Sequence, residues 1–364
     1  MLRKPAGIGT RPRREPGRSN MSKLVIVFDY SGTLSLEAVA FAKDDVLERQ
    51  LLLSGLAEFG VASPEVFWNR IVAPTWEEGS RTTIGYRRLM VEKISEEWTV
   101  NRKATSLAAL DKAAGIFVAQ YFSHSRIDPF WRTLLWELYN HPLITTVVAT
   151  DHYAEATEAI IGQFQEMQMK ALPLPTAGGA RAMDRGRPLE NAFFCHSGLD
   201  PKSSNDLKTL DPAPVSTGVT HRNEGREAEI GLFKGLRLEA VAAESRSCFF
   251  IANSADLGYH KDEEEFWVRV REQAGWTPGD RLLLVDDFGA NEVAGDHYGQ
   301  EARVAVRRQR TTELLTKVFD GRVEIVPFIL SGDESSRNGE VCLLIGRIAD
   351  KIREFLREGS RPHV

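Results

Sequence analysis

Residues 24–35 read LVIVFDYSGTLS, and the fold is decided here. Leu24–Phe28 is a short, unbroken apolar run, the pattern of a strand buried on both faces of a parallel sheet. A carboxylate, Asp29, ends the run, and Ser31, Gly32 and Thr33 then turn the chain sharply. In open α/β sheets ligands bind at the carboxyl ends of strands, so Asp29 stands where a catalytic carboxylate belongs. Gly32 permits the turn and lets backbone N–H groups approach an anion closely. Taken alone, an Asp after a strand is equally a cap.

Working outward, five further runs read as buried parallel strands: Ile144–Ala149, Cys248–Ala252, Leu282–Val285, Arg303–Val306 and Val323–Phe328. Helical patterns lie between most of them, at Ala154–Met167, Glu264–Ala274 and Thr311–Val318. Strands alternating with helices predict βαβ units, hence an α/β fold with a doubly wound parallel sheet. Two segments break the alternation. Residues 37–140 are mostly helical in pattern, carry tryptophans 68, 76, 98, 131 and 136, and are far too long for a loop. A separate helical lobe is expected there, with the tryptophans in its core. Residues 171–227 are rich in Pro, Gly, Ser, Asp and Arg and read as a loop-rich insertion, with Ala192–Cys195 its one strand-like piece. Residues 331–364 read as a C-terminal loop and helix.

Composition narrows the class. The chain has 364 residues, 42% of them hydrophobic, which excludes wholesale disorder and suggests two domains or one large domain with an insertion. Three cysteines (Cys195, Cys248, Cys342) make no disulfide framework, so a reducing, cytoplasmic setting is expected. No apolar run reaches the roughly 18–20 residues of a membrane helix, so no membrane partner is expected. The net charge of −5 hides an asymmetry. Residues 1–20 carry +5, from Arg3, Lys4, Arg11, Arg13, Arg14 and Arg18 against Glu15, which leaves −10 on the remainder. That acidic body argues against nucleic-acid binding. The basic stretch has neither the apolar region of a secretory signal nor an amphipathic period, and reads as a disordered leader before Met21.

Three more stretches carry chemistry. LITTVVATDHY (143–153) ends a strand at Thr150, followed by Asp151 and a helix. A Thr hydroxyl with the first helical N–H groups makes an anion site, although a plain N-cap reads the same way. LGYHKDEEEFW (257–267) places Lys261 before an acid-rich helix start, as a point charge for a phosphate or carboxylate, or as an exposed loop Lys. RLLLVDDFGANE (281–292) ends a strand in two adjacent carboxylates, Asp286 and Asp287. Buried neighbouring like charges repel, and a cation such as Mg²⁺ is the natural remedy.

Taken in order, Asp29, Thr150, Lys261 and Asp286/Asp287 resemble the motifs of the haloacid dehalogenase-like hydrolase superfamily. SADLGYHKDEEEFW and VDDFGANEVAG are similar to its Lys-bearing and final acidic segments, and residues 37–140 sit where that family inserts a helical cap. The resemblance implies a core at 21–36 and 141–330 with a Rossmann-like sheet. It further implies that Asp29 is a nucleophile forming an aspartyl-phosphate, that Thr150 holds a phosphate oxygen, and that Lys261 neutralises Asp29 and the transferring group. Mg²⁺ would be held by Asp29, the Ser31 carbonyl and Asp287, with Asp286 in support. Gly32, Asp151 and Asn291 would stand around the phosphate, Asn291 where a second carboxylate often sits. The implied substrate is a small phosphorylated metabolite.

Ser31 departs from the pattern, because phosphatases of that family usually carry an Asp there. A serine does not titrate near neutrality and makes a poor general acid–base. A weakened scaffold that binds without turnover is therefore the competing reading, together with phosphonatase or dehalogenase chemistry. Lys43 and Lys93 are the Schiff-base candidates for a phosphonatase, and His152, beside Thr150, is a candidate for the missing proton chemistry. Arg81, Arg87 and Arg88 in PTWEEGSRTTIGYRRL (74–89) either meet an anionic substrate or line a solvated helix face.

Overall fold

The computed structural model describes residues 23–97, 104–174, 247–292, 301–320, 322–331 and 336–359. Six strands form one all-parallel sheet: β1 (Leu24–Asp29), β2 (Ile144–Thr150), β3 (Ala171–Pro173), β4 (Phe249–Asn253), β5 (Arg281–Asp286) and β6 (Val323–Pro327). Their spatial order is β3-β4-β2-β1-β5-β6. The chain winds to one side of β1 through β2 and β4 and to the other through β5 and β6, as in a doubly wound, Rossmann-like sheet. The crevice where the order reverses lies at the carboxyl ends of β1 and β5.

β1 reads as a continuous apolar run because it is central and covered on both faces: all six of its residues are buried. Val25 and Val27 share one face with Val147, Leu282 and Leu284, packed against Phe266, Trp267, Val270 and Phe319. On the other face, Phe28 meets Trp131 edge-on at 5.4 Å between ring centroids. The C-terminal helix, Arg337–Gly359, buries Val341, Ile345, Ile348 and Ile352 and ties Lys351 to Glu324 of β6 at 2.6 Å. No described helix is long and apolar enough to cross a membrane.

The long segment between β1 and β2 is helical, as expected. Its main helices are Asp44–Ser54, Tyr86–Glu97 and Ala104–His124. They enclose an apolar cluster of their own around Phe41, Leu51, Phe67, Ile71, Met90 and Phe117. Of the tryptophans, Trp76 packs against that core, and the others described lie elsewhere. Trp131 is fully buried between Phe28 and Phe328 in the sheet layer, with its indole N–H on the Thr33 carbonyl at 3.0 Å. Trp68 and Trp136 are partly exposed, and Trp98 lies outside the described residues. Residues 132–139 form a helix packed on β2, so the stretch that departs from the sheet ends before Trp131.

Two further expectations are corrected. Arg303–Val306 is not a strand but part of the helix Glu301–Val318. That helix buries Thr311, Leu315 and Val318 at spacings of four and three while Val306 is 64% exposed, so helical periodicity outweighs two alternating valines. The sixth strand is instead Ala171–Pro173, at the start of the stretch read as loop. It is an edge strand of three residues, where a Pro is tolerated. Ala192–Cys195 and the remainder of 171–227, like the basic residues 1–20, lie outside the described residues.

Candidate active site

Four neighbouring strands end in polar residues that lie side by side. Asp29 closes β1, Thr150 β2, Asn253 β4 and Asp286 β5. Phe28 pairs with Val285, which brings Asp29 and Asp286 level, and Thr150 pairs with Asn253. Asp29, Asp286 and Asp287 are all buried, with one oxygen from each within 4.8 Å of the others.

Lys261 reaches into this group from the loop after β4. Its ammonium donates to Asp29 Oδ1 at 2.5 Å and to Asp286 Oδ2 at 3.2 Å. Its backbone N–H donates to Asp151 Oδ1 at 2.9 Å, and its carbonyl accepts the Trp267 indole N–H at 2.6 Å. Backbone and side chain are thus both anchored, and Asp151 positions the lysine loop. Three carboxylates share this one cation. Burial pushes Asp29 up to about 7, with Lys261 opposing and Asp286 adding to the rise. Burial, then Asp29 and Asp286, hold Asp287 well above the ordinary carboxylate range. Burial alone lowers Lys261, but Asp286, Asp29 and Asp151 more than reverse it and keep the ammonium charged.

The turn after β1 is built for close approach. Gly32 has φ +79°, closed by Gly32 N–H to the Ser35 carbonyl at 3.0 Å and Ser35 N–H to the Tyr30 carbonyl at 2.8 Å. A Cβ at Gly32 would stand 2.4 Å from Asp287 Oδ2, so only glycine lets this backbone lie against the acidic pair. Thr33 Oγ1 accepts the Asp287 N–H at 3.1 Å and also favours the charged form of Asp29. The Asp286 and Asp287 carboxylates accept backbone N–H groups of Phe288, Gly289 and Asn291 at 2.6, 3.1 and 3.0 Å.

Asn291 is drawn into scaffolding. Its amide nitrogen donates to the Gly32 and Phe328 carbonyls at 2.7 and 2.8 Å, and its oxygen accepts the Leu330 N–H at 2.8 Å. It pins the β5 and β6 loops to the Gly32 turn. Lys93 sits on its own helix, paired with Glu97 at 3.2 Å and Glu96 at 3.6 Å. Lys43 stands at the start of the helix Asp44–Ser54. Each of the three arginines faces a carboxylate: Arg81 meets Glu263 at 2.6 Å and Glu77 at 2.7 Å, Arg87 meets Asp111, and Arg88 meets Glu92 at 2.8 Å.

The helical segment touches the loops that carry the site. Ser80 Oγ and His260 Nε2 are 2.6 Å apart, one residue from Lys261. Glu155, after β2, accepts the Tyr86 and Arg87 N–H groups at the start of their helix, at 2.8 and 3.2 Å. Tyr153 stacks on Tyr86 with centroids 4.0 Å apart. His152 is buried, and burial lowers it to about 4. Its ring meets Tyr121 of the helix Ala104–His124, with Nε2 and the phenol oxygen 2.8 Å apart. Tyr121 was not singled out by sequence reasoning, since an aromatic in a helical stretch is indistinguishable there from core packing.

No known protein-family model matches the chain, and no curated protein sequence matches it.

Proposed function

We propose that the chain is a Mg²⁺-dependent hydrolase of the haloacid dehalogenase-like kind, transferring the phosphoryl group of a small metabolite to Asp29. The observation that carries this reading is the convergence of Asp29, Lys261, Asp286 and Asp287 at the switch point of the sheet. The helical segment that follows β1, up to Trp131, would act as the cap over that point.

A divalent cation fits the donor set. The ligands are oxygens only, which suits Mg²⁺, and three buried carboxylates exceed the one ammonium among them. Asp29, the Ser31 carbonyl and Asp287 would hold the ion, with Asp286 beside it. When bound, it neutralises charge on the phosphoryl oxygens.

The chain's own residues then have distinct tasks. Asp29 presents a carboxylate oxygen as nucleophile, and the aspartyl-phosphate divides one difficult displacement into two. Lys261, held between Asp29 and Asp286, opposes the effect of burial by favouring the ionised form of Asp29, and would add a fixed positive charge for the equatorial oxygens. Thr150 offers a hydroxyl at the end of the adjacent strand. Asp151 fixes the Lys261 backbone.

The test is a panel of phosphate esters assayed with Mg²⁺, comparing wild type with Asp29→Asn. Turnover that vanishes in the variant is the expected result, and equal rates in both refute the reading. Ser31 favours a second reading, a protein that binds Mg²⁺ and a phosphorylated ligand without turning it over. Ligand binding with no Asp29-dependent multiple turnover in the same assay selects that alternative.

A further inference from the structure

Phosphoryl transfer asks Lys261 for a charge fixed in place, and the turn that carries this lysine is held from two sides. Residues 260–263 close on themselves. The Glu263 N–H donates to the His260 carbonyl at 2.9 Å, and the His260 N–H donates to Glu263 Oε2 at 2.7 Å. The core holds the two inner residues of the turn. Lys261 donates its N–H to Asp151 and accepts the Trp267 indole N–H, and Asp262 pairs with Arg310 at 3.3 Å. The two outer residues, His260 and Glu263, are met by the helical segment that follows β1.

Both outer contacts come from the two residues that follow the helix Ala73–Gly79. Arg81 Nη1 donates to Glu263 Oε2 at 2.6 Å, the same oxygen that closes the turn onto the His260 N–H. Glu77 takes Arg81 Nε at 2.7 Å and so ties the guanidinium back to its own helix. Ser80 Oγ donates its single proton to the Trp76 carbonyl at 2.5 Å. A hydroxyl committed in this way accepts, so His260 Nε2 carries a proton and donates it to Ser80 Oγ across 2.6 Å. The Trp76 ring lies 23° from parallel to that imidazole, with centroids 6.3 Å apart. Lys261 thus sits between two residues gripped from outside the core, and the turn sets the direction from which its ammonium reaches Asp29 and Asp286. A half-exposed ion pair adds little stability, but small displacements of a reacting group cost much in rate.

We propose that Ser80 and Arg81 are positioning residues that couple the seating of the helical segment to the aim of Lys261. The proposal rests on the phosphoryl-hydrolase reading. With the segment seated, both ends of the turn are held and the ammonium stays between Asp29 and Asp286. With it lifted, His260 and Glu263 lose their outer partners and the turn keeps only its core ties. Lys261 then lacks the fixed orientation that makes its charge effective in the transition state. Phosphoryl transfer is in this way confined to the covered site, by a contact that touches neither substrate nor metal.

The experiment reads the turn and the turnover separately, on wild type, Arg81→Met, Arg81→Lys, Glu155→Ala and Asp29→Asn. Hydrogen–deuterium exchange of a peptide covering 258–267 reports the bonded N–H groups of His260, Lys261 and Glu263 with no substrate present. Steady-state kinetics with Mg²⁺, on the fastest ester of the phosphate panel, report kcat and KM. Arg81→Met is expected to exchange faster in that peptide and to lose about 10–100-fold in kcat, with KM changed less than about threefold. Arg81→Lys keeps a charge for Glu263 and should recover most of both. Glu155→Ala removes a different tie of the same segment, the carboxylate on the Tyr86 and Arg87 N–H groups, and should leave exchange in 258–267 as in wild type. Unchanged exchange in Arg81→Met, or equal acceleration in Glu155→Ala, overturns the proposal whatever the activity. Faster exchange at the wild-type kcat, or a loss confined to KM, also overturns it and leaves an Asp29-dependent hydrolase standing. No Asp29-dependent turnover on any ester of the panel overturns both.

Discussion

Lys261→Met tests whether the acidic group is governed by charge. The substitution preserves most of the side-chain length and deletes an ammonium that lies 2.5 Å from Asp29 and 3.2 Å from Asp286. An unpaired buried carboxylate is too costly to keep, so one further carboxyl of the group takes up a proton. The cost of that uptake is fixed by solution chemistry. A carboxyl with an ordinary value of 3.8 pays about 1.36 kcal/mol for each pH unit above it, so the penalty is about 1.6 kcal/mol at pH 5 and about 5.7 kcal/mol at pH 8. The sign follows from linkage: the folded variant holds one proton more than the folded wild type, so its stability falls relative to wild type as pH rises. The assay is urea unfolding followed by far-UV circular dichroism at pH 5, 6, 7 and 8 in EDTA. A stability difference with a slope near 1.4 kcal/mol per pH unit is expected. A difference that is constant across this range refutes the reasoning, because it assigns Lys261 a packing role. Excess Mg²⁺ should flatten the slope by supplying the missing charge.

Gly32→Ala combines a left-handed backbone with a Cβ 2.4 Å from Asp287 Oδ2, so a loss of about 2–5 kcal/mol is expected from denaturant midpoints. A near-neutral effect would mean that the turn and Asp287 separate freely. Burial keeps His152 neutral down to about 4, whereas the unfolded chain protonates it near 6.5. Its contribution is therefore complete above 6.5 and lost as pH falls toward 4, about 3 kcal/mol over that window. The stability difference between wild type and His152→Leu should shift by about 2.4 kcal/mol between pH 7 and pH 4.5, and an unchanged difference contradicts a neutral buried ring. Trp131→Ala removes a fully buried indole between Phe28 and Phe328, and about 3–5 kcal/mol should be lost in equilibrium unfolding. A loss under about 1 kcal/mol would place Trp131 outside the sheet core.

The parts legible in the sequence share a physical cause. β1, β2, β4 and β5 are covered on both faces, so each leaves an unbroken apolar run, and its end fixes where the polar residue stands. Asp29, Thr150 and Asp286 were placed from those runs alone, and Lys261 from the acidic helix start that follows it. Parts that depend on distant partners left no such mark. Ala171–Pro173 is a strand only because β4 lies beside it, and Arg303–Val306 has β-formers but no second face to bury. Trp131 looks like any tryptophan of the helical stretch until Phe328, nearly two hundred residues later, closes over it. Asn291 resembles a displaced ligand in the sequence, yet its amide joins two loops. The Tyr121–His152 contact spans 31 positions and two structural layers, beyond the reach of any local pattern.

The strand order has a further consequence, for how the protein is made. Leu24 pairs with Ile144 on one side and with Arg281 on the other. A ribosome adding about 5–20 residues per second delivers β5 roughly 13–50 s after β1. Throughout that interval β1, buried on both faces in the finished sheet, keeps one edge without its partner. The helices that follow it have a cluster of their own to collapse onto and can form while the sheet waits. Asp29 emerges more than two hundred residues before Lys261 and Asp286, so a chain truncated before residue 281 retains Asp29 without β5 beside it and without its acidic neighbours.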